Sequence, residues 1–180
     1  MYIFCHILAP LTIAWQIVVF MLAEDFTFYM LHSTLHNPKL YWIHKNHHEY
    51  NKTISIAAEY SHPIEHISNS VAFGIGYKFL SFVYPVHIFT IISWTVFRII
   101  ETTEGHSGYE WTFSYTSVFP IGGGPEYHAF HHSKNVGNFG SYFVFWDTVF
   151  GTNKEFFKWK KQKELNNNIQ EETKGSKAQW

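Results

Sequence analysis

Histidine is the residue whose type and spacing in this sequence could do chemistry. Eight of the 13 histidines fall into three short clusters with regular spacing. The clusters are His32 and His36; His44, His47 and His48; and His128, His131 and His132. Residues three and four apart share one face of a helix, so each cluster can offer two or three imidazoles to one point. Imidazole suits iron, zinc and copper, and eight rings suffice for two metal ions with positions left open.

Two more histidines could complete this centre. His62 follows Glu-Tyr-Ser and precedes proline, and His106 lies within Glu-Gly-His-Ser-Gly-Tyr. Either could be a ligand or hold a bridging water, whereas His66 is as readily a bystander and an isolated His87 is more simply structural. Soluble di-iron bundles draw on glutamates from several helices. The clusters here are built of histidine, so we do not expect a carboxylate-bridged bundle.

Carboxylates often orient metal-bound histidines through the second ring nitrogen. The candidates for this role are Asp25, Glu49, Glu59, Glu104, Glu126 and Asp147. Asp25 is the preferred one, because it precedes His32 by two helical turns and therefore faces the same way.

The composition limits the classes of function. The 180 residues are enough for one domain with a core. The 13 basic and 14 acidic side chains nearly balance, which argues against a nucleic-acid partner. The single cysteine, Cys5, excludes a disulfide framework. An aromatic content of 20% suits a protein that faces lipid.

The apolar segments predict helices in a membrane. Residues 7–23 are long enough for a short span, and a helical pattern continues from there to His36. This opening has no basic region and no cleavage site, which favours a membrane helix over a signal peptide and leaves open that earlier helices are missing. Residues 64–83 and 86–100 predict a hairpin that dips into or crosses the membrane.

The remaining segments are shorter. Residues 39–50 predict a second helix, residues 125–134 a helix that begins at a proline, and residues 139–150 a short closing helix. We therefore expect a membrane-embedded domain over residues 1–152, which could be truncated at its N-terminus. Residues 153–180 are polar, and we expect a partly disordered cytosolic tail there.

The strings around the histidines narrow the interpretation. They are LYWIHKNHHEY at 40–50, AAEYSHPIE at 57–65, HSGYE at 106–110, GGPEYHAFHH at 123–132 and WDTVFGT at 146–152. In this order they resemble the fatty acid hydroxylase and sterol desaturase superfamily, and most of all its sterol 4-methyl oxidases, the methylsterol monooxygenases. The resemblance runs over residues 25–152. Glu104 departs from it mildly, because an aspartate is common there.

The resemblance implies an all-α fold, an integral-membrane helical bundle with a cytosolic histidine-rich cap that holds two metals. By matching position, the ligands it implies are His32, His36, His44, His47, His48, His62, His106, His128, His131 and His132. The metals would be two iron ions, with zinc as a possible substitute. The protein would lie in the endoplasmic reticulum membrane as a multi-pass protein with the metal site facing the cytosol.

The implied chemistry is stepwise oxidation of a methyl group on sterol carbon 4. It uses molecular oxygen and electrons from NAD(P)H, delivered by cytochrome b5 or its reductase. Aromatic side chains of the hairpin could line the sterol slot, and the candidates are Phe73, Tyr77, Trp94 and Phe97.

Three alternatives stay open. A sibling enzyme, such as a sterol C-5 desaturase or a fatty acyl or sphingolipid hydroxylase, would have the same ligands and a different pocket. An inactive membrane protein could keep zinc in the site, since zinc has no redox chemistry. A haem cytochrome would pair histidines across two helices, which adjacent His-His doublets fit poorly.

Overall fold

Helices make up all the regular structure in the computed structural model, which describes residues 10–112, 114 and 121–177. Within these residues no strand is formed, so the predicted all-α class is confirmed. The α-helices are α1 (Pro10–Leu35), α2 (Tyr41–His44), α3 (Pro63–Leu80), α4 (Ile88–Gly105), α5 (Gly124–Lys134), α6 (Phe145–Phe150) and α7 (Lys154–Lys177). Two 3₁₀ segments, His47–Glu49 and Ser55–Glu59, lie between α2 and α3.

The predicted hairpin corresponds to α3 and α4, and a histidine caps the N-terminus of each helix. The ring Nδ1 of His62 accepts the N–H of Ile64, and that of His87 accepts the N–H of Phe89. These contacts satisfy backbone donors that have no partner in the first turn of a helix. Helix α4 runs five residues beyond the predicted end at residue 100, which places His106 directly at its C-terminus.

Helices α1 and α3 pack closely along each other. A Cβ at Gly76 would lie 2.7 Å from the Cα of Phe20, so only glycine allows this approach. The core beside this contact consists of Phe20, Met21, Leu80, Trp94 and Tyr142.

This core removes Trp94 from the predicted aromatic slot. Trp94 is only 1% exposed and belongs to the core itself. Phe73 and Phe97 stack on its ring, and Tyr77 meets Phe20 edge to face. Packing of rings against one another stabilises the helix contacts at Trp94.

A buried ion-pair network links α1 to α4. Arg98 Nε lies 2.6 Å from Glu24 Oε1, and the same guanidinium pairs with Glu101. The hydroxyl of Tyr142 donates to the second oxygen of Glu24. Buried charges are tolerated only when they are paired in this way. The network therefore ties the middle of α1 to the C-terminal half of α4.

Two predicted helices are shorter than expected. Residues 39–50 form α2 and the first 3₁₀ segment, with a turn between them, instead of one helix. Of residues 139–150, only Phe145–Phe150 is helical. The backbone N–H groups of Phe139, Gly140 and Tyr142 instead donate to aspartate side chains, which replace helical partners.

The segment after residue 153, where we expected partial disorder, contains helix α7. Its lysines, glutamates and glutamines favour helix formation. Near its start, Phe156 packs against Tyr127 and Phe130, and Trp159 packs against Phe130. Side chains from Lys160 to Lys174 are all exposed.

Candidate metal centre

Ten predicted ligands come from five parts of the fold, and the structure brings nine of them together. They form two groups, within each of which the candidate ligand atoms all lie within 4.8 Å of one another. The five-histidine group consists of His32, His36, His44, His48 and His131. The four-histidine group consists of His47, His106, His128 and His132.

Each group draws on several sequence clusters. The cluster near α2 divides, because His44 and His48 belong to the five-histidine group and His47 belongs to the other. His131 and His132 divide in the same way. Neighbouring residues in a helical turn point about 100–120° apart, so one His-His doublet can serve two ions that lie side by side.

Backbone carbonyls fix the orientation of four rings. The Nδ1 atoms of His32, His47, His106 and His131 lie 2.9, 3.3, 2.8 and 2.6 Å from the carbonyl oxygens of Phe139, Tyr60, Thr102 and Gly137. A carbonyl can only accept, so Nδ1 carries the proton in each neutral ring. The unprotonated Nε2 of each ring is therefore available as a metal ligand.

Gly137 is required for one of these contacts. Its φ is +55°, and a Cβ there would collide with the carbonyl oxygen of Thr152. Glycine tolerates this conformation without steric cost. The residue therefore lets the loop after α5 turn back, so that its carbonyl holds His131.

A carboxylate fixes a fifth ring. Glu65 Oε1, at the start of α3, lies 2.7 Å from Nδ1 of His44. Both side chains are almost fully buried. Sequence reasoning missed Glu65, although a carboxylate one turn into an apolar helix and next to a histidine motif is a signal that could have identified it.

The Nε2 atoms converge where a metal would lie. The Nε2 atoms of His32 and His44 are 3.1 Å apart, and those of His47 and His106 are 3.2 Å apart. In the pair of His47 and His106 both Nδ1 atoms donate to carbonyls, so neither Nε2 atom can donate and the lone pairs face each other. Two ligands about 2.1 Å from one metal ion and at right angles to each other are about 3.0 Å apart. The donor set thus fits a cation in each group.

Burial supports the same assignment. Nε2 of His36 and of His131 is buried and has no hydrogen-bond partner among the described residues. Burial, followed by the neighbouring His47, lowers the pKa of His36 to about 4. Burial likewise lowers the pKa of His106 to about 3. These rings are neutral at pH 7, which is the form that binds metals.

His62 is not brought to either group. Its ring caps α3. His66, four residues further on, contacts the carbonyl oxygen of Glu59 and has no hydrogen bond to a described member of either group. We therefore do not assign His62 as a metal ligand.

Two of the predicted carboxylates bind backbone N–H groups near a ligand and do not bind the ligand ring itself. Asp25 accepts the N–H groups of Tyr142 and Phe143 at 2.9 and 3.1 Å, and does not bond His32. Asp147 accepts the N–H groups of Phe139 and Gly140, both at 2.8 Å. Both aspartates therefore hold the loop whose carbonyl at Phe139 orients His32.

The other four carboxylate candidates make no described contact with a ligand ring. Glu49 accepts the hydroxyl of Tyr60, and Glu126 pairs with Lys160 and Lys163 on α7. Glu104 Oε1 is buried without a hydrogen-bond partner among the described residues. No hydrogen bond joins the Glu59 carboxylate to the described part of the chain.

Fold and site together define a helical protein with two groups of histidines, each of which could hold a metal ion. Comparison with known proteins gives its family: residues 17–152 match the model of the fatty acid hydroxylases, and the chain belongs to that family. This confirms the resemblance inferred from the sequence.

Curated relatives carry two kinds of name. Methylsterol monooxygenase 1 of Danio rerio is 38% identical over 136 residues, which is 75% of this chain and 45% of that protein. The same protein of Gallus gallus is 36% identical over 140 residues, 77% of this chain and 46% of that protein. A very-long-chain aldehyde decarbonylase of Oryza sativa subsp. indica is 38% identical over 149 residues, 81% of this chain and 54% of that protein.

The chain thus spans about half the length of the curated relatives it matches. No solved structure matches it.

Proposed function

We propose that this chain carries the metal centre of an iron-dependent lipid oxygenase, with one iron ion in each histidine group. The observation that carries this is the convergence of unprotonated Nε2 atoms whose Nδ1 atoms are held by carbonyls and by Glu65. A merely structural role for buried histidines would pair these nitrogens with donors, because buried polar atoms without partners destabilise a fold.

When bound, two iron ions would supply the redox chemistry that activates dioxygen toward an unactivated C–H bond. The protein's part is to bind and orient. The carbonyls of Tyr60 and Thr102 hold His47 and His106, and Glu65 holds His44. Burial of the rings keeps bulk water away, which favours a controlled reaction over the loss of reactive species.

The substrate that we propose is a sterol with a methyl group on carbon 4. Its support is the set of relatives named methylsterol monooxygenase. Oxidation of C–H to C–OH by dioxygen also consumes two electrons and two protons and releases water. We propose that the electrons come from NAD(P)H through a cytochrome b5-type donor.

We propose that the protein lies in the endoplasmic reticulum membrane, as a multi-pass protein with the centre on the cytosolic side. Among the described residues, one helix, Pro10–Leu35, is long and apolar enough to cross a membrane. The turn between α3 and α4 adds support, because Phe82 and Val83 are 71% and 82% exposed. Exposed apolar side chains at one end of a hairpin are typical of contact with lipid.

A second candidate is the conversion of a long-chain aldehyde, which has the same centre and another pocket. The rice relative named very-long-chain aldehyde decarbonylase matches this chain as well as the sterol enzymes do. A third outcome, an inactive protein that keeps zinc, would preserve the ligand geometry and lack oxygen consumption.

The test is iron content and oxygen-dependent turnover on one purified sample, with a 4,4-dimethyl sterol or a very-long-chain aldehyde and a reductase system. We expect about two irons per chain, as the two ligand groups require, and oxidised 4-methyl product. His131→Ala should abolish turnover and lower the iron content by one ion per chain. His66→Ala removes an exposed imidazole outside the groups and should change neither quantity.

The outcomes separate the candidates. Aldehyde turnover without sterol product would move the substrate to the second candidate. Zinc at both sites, with no product after reconstitution with iron, would contradict the oxygenase.

A further inference from the structure

A small cavity adjoins the four-histidine group. It lies between the end of α4 and the start of α5 and has a volume of about 30 Å³. His106 and His128 of the four-histidine group line it, and no member of the five-histidine group is part of its lining. The four-histidine group therefore has free space beside it.

The size of the cavity limits its occupant. A cavity volume of about 10–15 Å³ accommodates one water molecule. The cavity therefore takes a group of two or three atoms and excludes a sterol ring. The positive charge on the wall is already matched, because Arg98 pairs with two carboxylates, those of Glu24 and Glu101. That pairing leaves no unpaired cation to attract an anion, which favours a neutral occupant.

Gly105 keeps this space open. It lines the cavity as the last residue of α4, directly before His106. Gly105 is buried, yet a Cβ there would meet no atom within 4 Å. By contrast, a Cβ at Gly123 or Gly140, which also line the cavity, would lie 2.7 Å from the ring of Tyr127 or 2.5 Å from the carbonyl oxygen of Phe143.

We propose that the four-histidine group is the one with an open coordination position, and that the cavity kept free by Gly105 is where dioxygen enters. This rests on the proposed function, because it assumes iron in the centre. The five-histidine group, which has one more ring and contributes no residue to this cavity, would be closed to exogenous ligands.

The test uses nitric oxide, a neutral diatomic probe, on the iron(II)-loaded protein, with binding followed by its absorption and electron paramagnetic resonance spectra. Gly105→Ala adds one methyl group, and we expect nitric oxide affinity to fall by about tenfold or more, because the methyl group takes up part of a cavity of only about 30 Å³. Iron content should stay at the parent value. The matched control is Gly74→Ala on α3, where a Cβ also meets no atom within 4 Å and no cavity wall is changed.

A second filling variant guards against disturbance of His106. Ser141→Val enlarges another side chain of the lining, in the loop before α6, and should weaken nitric oxide binding with the iron retained. Affinity at the parent level in both variants, or a parent with full iron that binds no nitric oxide, would overturn the proposal. So would an equal loss in Gly74→Ala.

The result is independent of the sterol assignment. Selective loss of nitric oxide binding in Gly105→Ala would support the open position even if no sterol were oxidised. Sterol turnover in the parent, with unchanged nitric oxide binding in the variants, would retain the function and reject this cavity.

Discussion

The two histidine groups share two of the three sequence clusters but are held differently. The five-histidine group is tied to a carboxylate, at His44, and to the carbonyls of Phe139 and Gly137 in the loop after α5. In the four-histidine group, the carbonyls of Tyr60 and Thr102 orient His47 and His106. Two members of the second group, His106 and His128, line the cavity between α4 and α5.

This difference indicates a division of labour between the two metal positions. A carboxylate on Nδ1 makes an imidazole a stronger donor, and five rings enclose an ion more fully than four. We therefore expect the five-histidine position to bind its ion more tightly and the four-histidine position to exchange ligands more readily.

The largest effect should come from removing one buried ligand from each group in turn. His131→Ala and His132→Ala change neighbouring residues that are 0% and 1% exposed and that serve different groups. Each variant should lose about one of two irons, since each group holds its own ion. Because the retained ion lies in the other group, its electron paramagnetic resonance spectrum should differ between the variants.

Loss of both ions in either variant would show that the groups bind cooperatively as one site. Loss of neither would remove the assignment of these rings as ligands. His66→Ala serves as the control for the removal of an imidazole outside the groups.

A smaller effect should come from Glu65, which touches the five-histidine group alone. Glu65→Ala removes the acceptor 2.7 Å from His44 Nδ1. Loss of such an orienting partner typically lowers metal affinity about 10–100-fold. Competition with a chelator should show weaker binding of one ion only, and Glu65→Gln should recover part of the loss because its amide oxygen can still accept.

Glu59→Gln is the matched control, since this carboxylate contacts neither group and should leave both affinities unchanged. An equal weakening of both ions in Glu65→Ala would mean that the variant loosens the fold and does not act through His44.

The short-range part of the site could be predicted from the sequence, and the long-range part could not. Spacing of three and four residues identified the rings of His44, His47 and His48, because a helical turn fixes that geometry locally. The partners of the Nδ1 atoms of His44 and His47 come from segments 21 and 13 residues away, at Glu65 and Tyr60. Which atom arrives there depends on packing, and spacing carries no information about it.

Asp25 illustrates the same limit within the fold. Two helical turns do place it on the side of His32, but it accepts backbone N–H groups more than a hundred residues away, at Tyr142 and Phe143. The prediction that Trp94 lines a ligand slot was wrong for a related reason. An apolar pattern marks Trp94 as buried without saying whether a ligand or another ring covers it.

The smallest effect should come from His62, whose sequence motif predicted a ligand and whose ring caps α3. His62→Ser removes the imidazole and keeps a side-chain oxygen that can accept the N–H of Ile64. We expect both irons to remain, with thermal stability close to the parent. His62→Ala, which also removes the cap, should keep the irons and lower the free energy of unfolding by about 1 kcal/mol. Iron analysis and thermal unfolding of both variants test this. If His62→Ser lost an ion at parent stability, His62 would be a ligand in the loaded protein, and the four-histidine position would have to be redrawn around five rings.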